Sequence, residues 1–229
     1  LIPHFSEKTI NYIIDPLVEK ISEIFQNCIN LVTISANLIA LLFQTLSSPY
    51  PACLDDITGV IFDGFHKLLI AQFPSIYHIS NSISSIISYK GPHSAGQFLE
   101  YLLQIANSSD VPPSFLPHVF TPIETIVKDY MFIDSKVQEY LPALLATVFK
   151  CTALAFKDDC ILEQTDSRHI FSVLEPLSNC DEEVGNNIFS AFSEMISNSS
   201  VPEAFSSLLV FQFMIDNYPQ IVSGNLKQI

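Results

Sequence analysis

The sequence contains no tryptophan, only six glycines and a single arginine, Arg168. Lysine and arginine together number 10 against 24 aspartates and glutamates, a net charge of −14. Cations this sparse argue against direct nucleic-acid binding, which needs a basic surface to meet phosphates. Glycine this scarce leaves little for phosphate cradles, and no G-x-G-x-x-G, P-loop or G-x-S-x-G pattern occurs. The five cysteines are Cys28, Cys53, Cys151, Cys160 and Cys180. Their number is odd and none are spaced C-x-x-C, so a disulfide framework is not expected. Free thiols in apolar stretches point to a reducing compartment, cytoplasm or nucleus. No basic segment leads into an apolar run at the start of the sequence, so no signal peptide is expected.

What the sequence does have is apolar bulk. Of 229 residues, 48% are hydrophobic, and 18 are phenylalanine. That is enough to bury a sizeable core, which excludes disorder for most of the chain. Residues Ile24 to Leu54 carry no charge at all, and Cys28 to Leu46 is long enough to cross a bilayer. Asn30, Asn37 and Gln44, however, recur every seven residues and form a polar stripe. A stripe of that kind belongs to an amphipathic helix packed in protein, and no membrane insertion is expected.

Helical periodicity runs from end to end. Ile170, Val173, Leu174 and Leu177 follow i, i+3, i+4, i+7, and Phe98, Leu102, Ile105 and Ala106 do the same. Val184, Ile188, Ala191, Phe192 and Met195 share one helix face. Asp63-Gly64, a hairpin signal elsewhere, lies in a stretch that otherwise reads as helix. Breaks fall at Ser47 to Pro51, Phe73 to Ser75, Lys90-Gly91-Pro92, Asn107 to Pro113, Phe132 to Ser135, Asp158 to Gln164, Ser178 to Asp181 and Asn198 to Pro202. Asp134 or Ser135 should cap the helix that follows. Pro176 should end its helix early. The expected helices are roughly 6–26, 29–47, 54–73, 76–89, 93–107, 114–131, 136–157, 166–178, 183–198 and 202–217, with a tail after Pro219. Taken two at a time, their starts lie about 36 to 52 residues apart, a range that brackets the period of HEAT and armadillo units. The expected fold is therefore all-α. More finely, it is a right-handed α-solenoid of about ten helices in stacked antiparallel pairs, a single HEAT-like segment over 1–229 that is part of a longer chain.

Chemistry is hard to find. His4, His66, His78, His93, His118 and His169 never fall three or four residues from one another or from a cysteine. Metal-ligand spacing is thus absent, and neither metal nor cofactor is expected. Asp63 and His66 share a helix face, which reads as a surface hydrogen bond rather than an oriented base. Cys151 reads as a packed thiol. The Asn107-Ser108-Ser109 and Asn198-Ser199-Ser200 sequons are of a kind that arises by chance in a serine-rich chain. Phe205, Phe211 and Phe213 sit in a helix apolar on nearly every side and should fill a core.

Two segments, Glu139-Tyr140-Leu141-Pro142-Ala143-Leu144-Leu145 and Ser114-Phe115-Leu116-Pro117-His118-Val119-Phe120, look like the first helix of a HEAT pair with its apolar-Pro-apolar kink. With the acidity, the phenylalanines and helices of about 18 residues, the chain resembles the importin-β/exportin family of nuclear transport receptors, the karyopherins. That resemblance implies a flexible superhelix that binds cargo, the GTPase Ran and Phe-Gly repeats of nuclear pore proteins, shared between cytoplasm and nucleus.

The acidic groups are the candidate binding residues. Asp158, Asp159, Glu163 and Asp166 crowd one connection, and Asp181, Glu182 and Glu183 open a helix. Helix-start carboxylates have an ordinary use against the positive end of the helix dipole. In a solenoid the loops align along one edge, so these groups would add into a strip that attracts a basic cargo or tail. The expected function is a non-enzymatic protein-binding scaffold, a portion of a karyopherin-type receptor. The alternative is a HEAT-like scaffold subunit of a coat adaptor, a chromosome-organising complex or a kinase-associated complex.

Overall fold

A computed structural model describes residues 7–27, 31–45, 52–158, 165–179, 182–196, 208 and 211–225. Among them every regular element is a helix. The chain divides into two compact units, Leu1–Ser94 and Ala95–Ile229.

The first unit holds α1 (Glu7–Asn27), α2 (Val32–Thr45), α3 (Ala52–Ile70) and α4 (Ile76–Lys90). Asp63 and Gly64 lie inside α3, so no hairpin forms there. The packing skips one helix at a time: α1 lies on α3 and α2 on α4, while α1 also meets α2 and α3 meets α4. The reason is the placing of the apolar residues. Ile14, Val18 and Ile21 form the buried stripe of α1. Ile61, Phe65 and Leu69 recur every fourth residue on α3, and Ile76, Ile79, Ile83, Ile86 and Ile87 follow the three-and-four spacing of one helix face on α4. All eight of these α3 and α4 residues are fully buried. Each such side chain contributes about 1.5–3 kcal/mol by leaving water.

The ends of these helices are set locally. After α3, the Phe73 N–H donates to Leu68 O (3.0 Å) and the Gln72 N–H to Leu69 O (3.1 Å). This paired closure requires a left-handed residue, and Gln72 takes it with φ +54°. After α4, Gly91 adopts φ +75° and donates to Ile87 O at 3.2 Å. Pro92 then opens the next helix, as the Lys90-Gly91-Pro92 signal required.

The second unit takes up α5 (Pro92–Asn107) from Ala95 onward. It continues with α6 (Leu116–Tyr130), α7 (Ser135–Glu139), α8 (Leu141–Asp158), α9 (Thr165–Ser172), α10 (Glu182–Ile196), α11 (211–217) and α12 (Pro219–Asn225). Short 3₁₀ turns cover Pro113–Phe115 and Glu175–Asn179. Here α9 packs on both α6 and α8, and α10 packs on α8 and α12. Phe98, Leu102, Ile105, Ala106, Ile170, Val173, Leu174 and Leu177 are all buried, as their periodicity required. Asp134 caps α7 by accepting from Lys136 N at 2.9 Å. The helix at Asp166 ends at Ser172, and Pro176 lies in the 3₁₀ turn beyond it.

Two expectations need correction. The single helix expected over 136–157 is two, α7 and α8, parted at Tyr140. A helix continued through Pro142 would lose its hydrogen bond to residue 138 and clash with that carbonyl. The chain restarts at Leu141 instead, and Pro142 falls in the first turn, where its missing N–H costs nothing. Pro117 does the same at the start of α6. Neither proline is therefore the mid-helix kink that the apolar-Pro-apolar pattern suggested. Among the described residues, the prolines in helix interiors are Pro16 in α1 and Pro122 in α6.

Most side-chain links between helices within a unit span 40 to 45 residues, although Lys90 Nζ to Thr58 Oγ1 spans 32 and Thr121 Oγ1 to His169 Nε2 spans 48. Ser82 Oγ donates to Asn37 Oδ1 at 2.6 Å, 45 residues apart, tying α4 to α2. Tyr140 Oη donates to Glu100 Oε2 (2.9 Å) and Asn107 Nδ2 to Thr147 Oγ1 (2.8 Å), each 40 apart. Lys150 Nζ donates to Asn107 Oδ1 (3.1 Å, 43 apart) and Cys151 Sγ to Ala106 O (3.4 Å, 45 apart). The Tyr218 hydroxyl donates to Leu177 O, 41 apart. Along α5 and α7–α8 the partners advance together, 100 with 140 and 107 with 147, so these helices run parallel. Gly96 permits that approach, since a Cβ there would lie 3.2 Å from Lys136 Cβ.

Candidate protein-binding surface

The seven candidate carboxylates distribute unevenly over this frame. Asp158 is the last residue of α8, and Asp166 lies in the first turn of α9. Glu182 and Glu183 open α10, and Glu183 is exposed. Asp159, Glu163 and Asp181 lie outside the described residues. The helix dipole accounts for acidic residues at the starts of α9 and α10. It does not account for Asp158, because a helix C-terminus favours cations.

The groups weighed for chemistry behave as packing. Cys151 is fully buried, its thiol donates to Ala106 O, and burial pushes its pKa up to about 12. A thiol held protonated in this way is a poor nucleophile. Asp63 is exposed and His66 half-buried on α3, and the Nε2 of His66 is buried with no hydrogen-bond partner. That imidazole is packed rather than oriented for proton transfer. Among the described residues, no three of His, Cys, Asp and Glu gather closely enough to hold a metal ion. Phe213 is buried and meets Phe171 edge-on at 6.0 Å, Phe211 is partly exposed, and Phe205 lies outside the described residues.

The Asn107 sequon gains a structural reading. Its amide donates to Leu103 O (2.9 Å) and Thr147 Oγ1 (2.8 Å), while its carbonyl accepts from Lys150 Nζ. The nitrogen a glycan would occupy is committed to joining α5 to α8. The second sequon, at Asn198, lies outside the described residues. Of the polar stripe on α2, Asn37 meets Ser82, Gln44 is exposed, and Asn30 lies outside the described residues. No helix among the described residues is long and apolar enough to cross a membrane.

Sequence reading passed over Thr152. It is cut off from water and from any partner: its relative exposure is 0% and its Oγ1 makes no hydrogen bond. An unmet buried hydroxyl costs about 1–3 kcal/mol of desolvation. Thr152→Val, which keeps the shape and removes the oxygen, should therefore raise stability by about 1–2 kcal/mol in urea unfolding. Thr147→Val should do the opposite by about 1 kcal/mol, because that hydroxyl donates to Ala143 O and accepts from Asn107.

His118 and His169 bring α6 and α9 together near Thr121, whose Oγ1 lies 3.5 Å from His169 Nε2. Phe115 stands edge-on to the His118 ring at 5.8 Å. Burial, and then the His169 charge, hold the His118 pKa below its ordinary 6.5. A histidine with a lowered folded pKa binds its proton more readily in the unfolded chain. Its contribution to stability is therefore full above pH 6.5 and is lost as pH falls from there through the folded value. Melting curves from pH 7.5 to 5 should show His118→Gln losing less stability over that window than the parent. The difference should stay under about 1 kcal/mol, because the ring keeps some contact with water.

Compared with known proteins, the chain matches no family model, no curated protein and no solved structure.

Proposed function

We propose that this chain is a non-enzymatic protein-binding scaffold built from stacked helix pairs. More concretely, we propose that it is a portion of a karyopherin-type receptor that meets basic cargo, Ran and Phe-Gly repeats in cytoplasm and nucleus. The observation that carries the stacked-pair reading is the recurrence of side-chain links at separations of 40 to 45 residues. A helix pair and its loops occupy about 40–47 residues in HEAT and armadillo arrays, so links at these separations are what stacked pairs would give. The skipped packing in the first unit, α1 on α3 and α2 on α4, has the same origin. The karyopherin assignment rests on the acidic, phenylalanine-rich character of the sequence and on its carboxylate-dense connection at 158–166.

Purified chain should bind a fluorescent lysine-rich peptide, with affinity falling steeply between 50 and 200 mM salt, as expected of a charge-led contact over a screening length of about 8–10 Å. Asp158→Asn, Asp159→Asn, Glu163→Gln and Asp166→Asn together should weaken it at least tenfold, while circular dichroism stays unchanged. Immobilised Phe-Gly repeats and Ran loaded with a non-hydrolysable GTP analogue should each retain the chain. Failure to retain either would overturn the transport reading. A fixed-stoichiometry set of subunits captured without regard to Ran would favour the assembly-scaffold alternative.

A further inference from the structure

We draw no further inference here: the strongest candidate, the pair of histidines His118 and His169 that meets near Thr121 where α6 packs on α9, has no third metal ligand beside it among the described residues and otherwise rests on the lowered pKa of His118 alone.

Discussion

Phe120→Ala should lower the stability of the second unit by about 3–5 kcal/mol. Phe120 lies in the second turn of α6 and is 0% exposed. It shares that helix's buried side with Val119, Ile123, Ile126 and Val127, all at 0%. Removing a phenyl ring there loses its transfer free energy and leaves a cavity that helices pinned on two sides cannot close. Phe132→Ala is the control. It is twelve residues further on, in the turn after α6, and 46% exposed. A surface truncation of that kind should stay within about 0.5 kcal/mol. Urea titration followed by helical circular dichroism separates the two outcomes. A small effect at Phe120 would mean that α6 does not face a close-packed interior.

Gly185→Val should be nearly as damaging, at about 3 kcal/mol, through crowding rather than a cavity. A Cβ on Gly185 would lie 2.7 Å from Ile221 Cδ1 and 2.8 Å from Tyr218 Cδ1. The isoleucine methyl can turn aside. The tyrosine ring is held, because its hydroxyl donates to Leu177 O and its centroid lies 6.3 Å from that of the tilted Phe213 ring. The result should be release of α12 from α10. The chain has no tryptophan, so tyrosine fluorescence reports the change directly. Amide exchange over 219–225 should quicken together with it. Gly185→Ala should be milder, since helix propensity returns up to about 1 kcal/mol of the crowding. If both variants behave as the parent, the contact between α10 and α12 is looser than the geometry indicates.

The Gly185 notch also marks where sequence reading runs out. A glycine inside a helical pattern is visible in the sequence, but its partner, 33 residues or more away, is not. The same holds for the candidate surface. That carboxylates crowd 158–166 and open α10 is legible in the sequence alone. Which of them share a face is a tertiary question, and three of the seven lie outside the described residues. The reading of Pro117 and Pro142 as kinks failed for a related reason. A proline in an apolar helical pattern fits either an interior bend or a first turn. Only the preceding residues decide, and at Tyr140 they close the short α7 with an N–H bond to Val137 O.

By itself the sequence determined what short-range physics controls. The apolar period of about 3.6 residues set the helices. Gly91, Asp134 and Pro176 set their ends, and the excess of carboxylates set the sign of the surface. Each of these depends on residues within a turn or two of one another. Tertiary structure alone decided which apolar residues face inward: Ile39 is fully buried, yet Ile34, on the same charge-free helix, is 59% exposed. It alone made Asn107 a link to Thr147 and left Thr152 without a partner. Helical patterning specifies a face to be covered, whereas the side chain that covers it comes from some 40 residues away, at a distance along the chain where local preference carries no information.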